Sequence, residues 1–184
     1  GGGSYSLASG SAADAQAAIR QLVFDPTENR VAPGATETTT FTIKVNDGID
    51  TTSDSTTAVV ATSINDAPAF TGIPGISGTV LVGNTLSAAN TGTSDAGSVN
   101  GDAVTLSYQW YRADDGAGTN ITAITSATND TYTLTTGEAH KTLTLEVTAS
   151  DNFSGSTTVT TLGVVVANSA PINNALPVVT GTTT

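Results

Sequence analysis

Two short steps of the chain, Ala67-Pro68 and Ala170-Pro171, lie 103 residues apart, and the landmarks around them keep that spacing. Pro74 and Pro177 share it, as do Gly78-Thr79 and Gly181-Thr182. A fixed offset held through several landmarks marks a tandem array, in which one supersecondary unit is written more than once. The stretches between the landmarks repeat as well. Thr38–Asn46 reads TTTFTIKVN, so Phe41, Ile43 and Val45 alternate with Thr42, Lys44 and Asn46. Thr142–Thr148 reads TLTLEVT, with Leu143, Leu145 and Val147 on one side. A period of two is a strand with one buried face. Each strand leads into an acidic turn, NDGID or SDNFSG, then into a β-branched run that ends at Ala-Pro.

This pattern predicts an all-β chain in tandem β-sandwich modules. Residues 1–66 should be the C-terminal part of one sandwich, 67–169 a complete one, and 170–184 the start of a further module or an exchanged strand. Between 67 and 169 the strand candidates are 79–82, 84–89, 104–112, 121–124, 131–135, 142–149 and 157–167. That many short strands in a span of this length, with no helical pattern, fits a sandwich. The first module carries one exception. SAADAQAAIRQL opens with Ser11 and has Asp14 three residues on, a capping-box spacing, and is rich in alanine. It predicts a short helix from 12 to about 18, followed by a strand over IRQLVF.

Composition narrows the function classes. The chain has 16 acidic residues against 5 basic ones, a formal charge of −11. Nucleic acid requires clustered Lys and Arg, whereas Arg20, Arg30, Lys44, Arg112 and Lys141 are scattered singly. No nucleic-acid partner is expected, and no membrane insertion, because no apolar run is long enough to span. There is no Cys, which removes disulfides, zinc-thiolate sites and a thiol nucleophile. The Gly1-Gly2-Gly3-Ser4 opening gives the expectation of a window cut from a longer chain.

On these residues a resemblance can be stated. SAADAQAAIRQLVFDPTENRVAPGATETTTFTIKVNDG resembles the second half of the cadherin-like repeats of very large bacterial surface adhesins. VTLSYQWYRADDG with ITSATNDTYTLTTGEAHKTLTLEVTASD resembles the bacterial immunoglobulin-like repeats of the same proteins. Together the two cover most of 5–168. The pattern SYQWYR supports the second likeness, because it puts Tyr108, Trp110 and Arg112 on one strand face and Gln109 and Tyr111 on the other. A single Trp on a central strand is the usual core anchor of such sandwiches. The flanking Cys pair of antibody domains and a clear tyrosine corner are both missing.

The resemblance to cadherins implies a linker of the form D-x-N-D-N whose acids bind calcium between modules. Here the five positions are Ser63, Ile64, Asn65, Asp66 and Ala67, so the central Asn-Asp is kept and the outer acid and amide are lost. Pro68 fixes its own φ and holds Ala67 extended. Sandwich topology would bring Asp95 and Asp102 of one loop and Asp151 of another to the same junction, with Asp25 and Glu28 from the first module. Calcium takes about 6–8 oxygens, so this set suits it. The same acids also suit turns for their own sake.

Other groups read as bystanders. His140 has no nucleophile or elbow beside it, and the Gly-rich stretches lack the strand–loop–helix setting of a phosphate loop. No enzyme is expected. The leading expectation is a structural spacer segment of an extracellular adhesin or surface fibre, at the bacterial surface or secreted. Its partners would be neighbouring modules of the same or identical chains, including a head-to-tail fibre in which 172–184 packs against 1–66 of the next copy. The alternatives are a glycan- or ligand-binding sandwich using exposed aromatics such as Tyr111, and an accessory domain of a secreted enzyme.

Overall fold

The computed structural model describes residues 3–7, 10–27, 30–95, 103–172, 175, 178, 180 and 181. Its elements are β-strands in antiparallel sheets, with one α-helix and one 3-10 turn among the described residues.

The helix α1 is Ala12–Ile19. Ser11 caps it: its hydroxyl accepts from the Asp14 N–H, and the Asp14 carboxylate accepts from the Ser11 N–H at 2.8 Å. The expected helix is therefore present, one residue longer than read. The strand expected over IRQLVF is not. Ile19 belongs to the helix, Arg20 and Gln21 form turns, and Leu22–Thr27 carries no strand. A strand exists only against a partner, and among the described residues this run pairs with none.

Residues 36–62 form one long hairpin. β1 (Thr36–Thr40) pairs with β4 (Ala58–Thr62), and β2 (Ile43–Asn46) with β3 (Thr51–Asp54). Thr40 sits opposite Ala58 and Ile43 opposite Asp54, so residues 41–42 face residues 55–57. The extra residue is a β-bulge, which bends the hairpin. Phe41, Ile43 and Val45 lie along one face, as alternation required, and Phe24 meets Phe41 edge-on at 5.6 Å. Little else covers that face: Val45 is 59% exposed, and no described residue before Pro68 is buried.

The second half is built over a core. β5 (Ala69–Phe70) pairs with β8 (Thr93–Ser94). β6 (Gly75–Ser77), β7 (Thr85–Ala89) and β11 (Thr131–Thr133) form a three-stranded sheet in the order β11-β7-β6. β10 (Thr122–Ala123), β9 (Thr105–Arg112), β12 (Thr142–Ser150) and β13 (Ser156–Thr160) lie in that order in a second sheet, with β14 (Val164–Val165) also on β12. Leu86 of the first sheet joins Trp110, Leu143, Leu145 and Val147 of the second in one buried cluster, closed by Leu134 and Val166. Trp110 is fully buried, packs on Tyr132 at 5.7 Å and donates its indole N–H to the Asn129 carbonyl at 3.0 Å. The segment after β6 meets the end of this half in a parallel bridge, Leu81 to Ala167. There the Ala167 N–H donates to Val80 O and the Val82 N–H to Ala167 O, each at 3.0 Å.

The β12–β13–β14 hairpin repeats the bulge of the first one. Leu143 faces Val164 and Glu146 faces Thr160, so residues 144–145 oppose residues 161–163. The extra residue again lies on the second strand. The run 157–167, read as one strand, is broken here for that reason. Gly163 sits in the bulge, and a Cβ there would meet Thr142 Cγ2 at 2.5 Å.

Candidate functional site at the Asn65 linker

Both hairpin turns are held by an aspartate at their first position. Asp47 Oδ1 accepts from the Ile49 and Asp50 N–H groups at 2.9 and 2.8 Å. Asp151 Oδ1 accepts from the Phe153 and Gly155 N–H groups at 2.7 and 2.8 Å, while its own N–H donates to Gly155 O. An Asp side chain that satisfies the backbone of its own turn is the usual reason for an acid in that place. Ser154 takes φ +75° to close the second turn.

Asp151 does one thing more. Its Oδ2 accepts from the Asn65 side-chain amide at 2.9 Å, across 86 residues of sequence. Residues 63–67 run from the first hairpin into Pro68, which is buried. Asn65 thus fastens that linker to the β12–β13 turn. A carboxylate only accepts, so the amide nitrogen must face it. The Asn65 Oδ1 is left buried with no hydrogen-bond partner. Burial by itself would raise the Asp151 pKa, but the Asn65 amide and the N–H groups of Gly155 and Phe153 outweigh it and hold the carboxyl below the usual range. Gly155 makes the approach feasible. A Cβ on it would overlap Asp151 Oδ2 outright and stand 2.8 Å from Asn65 Nδ2 and 3.0 Å from the Ala67 Cα.

Of the expected metal ligands, Asn65 and Asp151 are brought together. Asp66 is the exposed neighbour of Asn65, and Asp95 follows β8, whose partner β5 begins just after Pro68. Asp25 lies elsewhere, beside the β1–β4 end of the hairpin. It lines a cavity of about 60 Å³ with Phe24, Glu37 and Ala61, beside the Arg30–Glu37 ion pair at 2.8 Å. Glu28 and Asp102 fall outside the described residues. Among the described residues, no group of three or more Asp, Glu, His or Cys is placed to share an ion.

Sequence reading missed a second polar cluster. Glu138, 2% exposed, ends the 3-10 turn Thr136–Glu138. Its Oε1 accepts from Arg112 at 2.8 Å, and its Oε2 from the Thr135 N–H and hydroxyl at 2.8 and 2.6 Å. The signal was present in Thr135-x-x-Glu138, the same spacing that located α1. Tyr111, a candidate for stacking on sugar, is half-buried, and its hydroxyl meets Glu146 Oε1 at 3.4 Å.

Comparison with protein-family models, with curated proteins and with solved structures yields no match for this chain.

Proposed function

We propose that this chain is a structural spacer segment of an extracellular bacterial adhesin or surface fibre. In this reading 1–66 is the second half of a cadherin-like module, 67–169 an immunoglobulin-like sandwich, and 170–184 the opening of the next unit. The observation that carries it is the linker. Two hairpins, each with an aspartate-held turn and a bulge on its second strand, are joined by a short extended segment, and that segment is bonded to the body of the second unit through Asn65 and Asp151. A chain that serves to hold distance needs repeated units and stiff joints, and needs no pocket.

Calcium is the cofactor we assign to the joint. The observation in its favour is the buried, unpartnered Asn65 Oδ1, an oxygen donor of the hard type this ion requires. Asp66, Asp95 and Asp151 would supply its charge. Calcium binds the folded joint and not the unfolded chain, so it should raise the melting temperature of wild type and not of Asp66→Ala. Identical, calcium-independent melting of the two would remove calcium from the proposal. Small-angle scattering tests the spacer itself: it predicts two units held end to end, and a compact side-by-side pair would reject it.

The partners we propose are further modules of the same or identical chains. The partly exposed face of Phe41, Ile43 and Val45, where Val45 is 59% exposed, is where such a neighbour would pack, in a head-to-tail sense that need not close into a ring. Light scattering of the chain with and without 172–184 checks this, since unchanged assembly would reject exchange of the tail.

A further inference from the structure

The linker amide recurs and the linker acid does not. Asn65-Asp66-Ala67-Pro68 corresponds, at the 103-residue offset, to Asn168-Ser169-Ala170-Pro171. Calcium, which draws on the acid Asp66, is therefore proposed for the first joint and not for the repeat as such. A joint that depended on an amide would need only the asparagine, and that is the residue both copies hold. The geometry at the first joint says what the amide is for. Asn65 Nδ2 reaches Asp151 Oδ2 at 2.9 Å, inside a turn that the same aspartate already closes through its other oxygen. The glycine opposite leaves room for nothing larger.

We infer that the joint carries a latch that holds without metal, beside any calcium the joint binds. The side-chain amide of a linker asparagine locks onto the aspartate of the following unit's hairpin turn, with a glycine four residues after that aspartate making the space. Asn168, which is exposed, is the corresponding latch donor for whatever unit follows Ala170. The surface it fits is a turn with the spacing Asp-x-x-x-Gly, as in Asp151–Gly155. Ser169 takes a different part: its hydroxyl donates to Val82 O at 3.0 Å, which ties the start of the second linker to the body of its own unit. The latch follows from the bonding at Asn65 whether or not the chain serves as a spacer, and whether or not calcium adds to it.

The chain has no cysteine, so two can be introduced for spin labels without interference. Thr38→Cys on the first hairpin and Ser107→Cys on β9 are both exposed. The distance distribution between them is measured by pulsed electron spin resonance in EDTA and again in calcium. The latch predicts a narrow distribution in EDTA. It predicts that Asn65→Ala at least doubles the width, and that Gly155→Ala, which crowds the turn instead of removing the amide, does the same. Trp110 fluorescence on each variant verifies that the core is still folded, because Asn65 contributes nothing to it. A wild-type distribution that is broad in EDTA and narrows only with calcium would overturn the latch while leaving the calcium reading standing. A narrow distribution that Asn65→Ala leaves unchanged would overturn it too, and would assign the stiffness to Pro68. A narrow distribution in EDTA that Asn65→Ala broadens, with no effect of calcium on melting, would support the latch and reject the calcium reading.

Discussion

Glu138 keeps its charge at 2% exposure because Arg112 and two groups of Thr135 converge on its oxygens. Burial alone would raise its pKa; the bonds from Thr135 and the guanidinium of Arg112 more than reverse this and hold it low. A carboxyl with a lowered folded-state pKa contributes stability that is fully present above its unfolded value and lost as pH falls through the folded one. Glu138→Gln should therefore cost about 1.5–3 kcal/mol at neutral pH, the range for a hydrogen bond to a charged group. The gap to wild type should close in acid, below the folded pKa. Urea titrations of both proteins at neutral and acid pH would check this, and a gap that is the same at both would refute it. The cap at Thr135 was legible, being local in sequence. The pairing with Arg112 was not, because it depends on which strand ends the fold sets side by side. The same holds for Asn65 and Asp151: each was named from sequence as an oxygen ligand, but their bond to one another needed coordinates.

At the scale of elements, the two hairpins share turn chemistry and bulge and differ in cover. Alternation made both legible, since Phe41, Ile43 and Val45 read the same as Leu143, Leu145 and Val147. Alternation states which face seeks burial and is silent on whether anything buries it. β12 lies against a full core, whereas among the described residues the 36–62 hairpin has Phe24 and its neighbours over its apolar face. A two-stranded hairpin by itself is marginally stable in water. Amide hydrogen exchange should therefore separate them. The β9, β12 and β13 amides should be protected up to the global stability, and those of β1 to β4 should exchange through local opening. Equal protection in both hairpins would mean that the first is covered in solution. Within the core, Trp110→Ala should cost about 3–5 kcal/mol, the usual range for removing a buried aromatic, as measured by thermal or chemical unfolding. The bulge was not legible. A one-residue excess on the second strand leaves the alternation of each strand intact on either side, so only the observed pairing reveals it.

For the whole molecule, the buried cluster draws only on residues from Leu86 to Val166, with Phe70, Ile76, Val80 and Val82 packed against it. Removing 1–66 should therefore leave 67–184 folded, with Tm lowered by about 4–8 °C for the lost Asn65–Asp151 bond, the shift that ~1 kcal/mol gives in a domain of about 100 residues. Calorimetry of the truncated chain would check it, and loss of the transition would show that the hairpin is part of the fold's foundation. The repeated strand–acidic turn–strand pattern made the two hairpins legible in their order along the chain. What each unit lacks or completes was less so, because that is a property of neighbours. One more consequence concerns force. Val80–Val82, which follow β6, and Ala167, near the end of the second half, run parallel and are joined by two backbone bonds. If the chain is pulled from outside this half, the load enters one strand and leaves through the other in opposite directions. Both bonds are then sheared together, not peeled apart in turn, so this small contact resists the tension that reaches it past β5 and β6. Val82→Pro deletes one of the two donors. In single-molecule pulling it should lower the rupture force of this half, a quantity set by the unfolding rate and not by equilibrium stability.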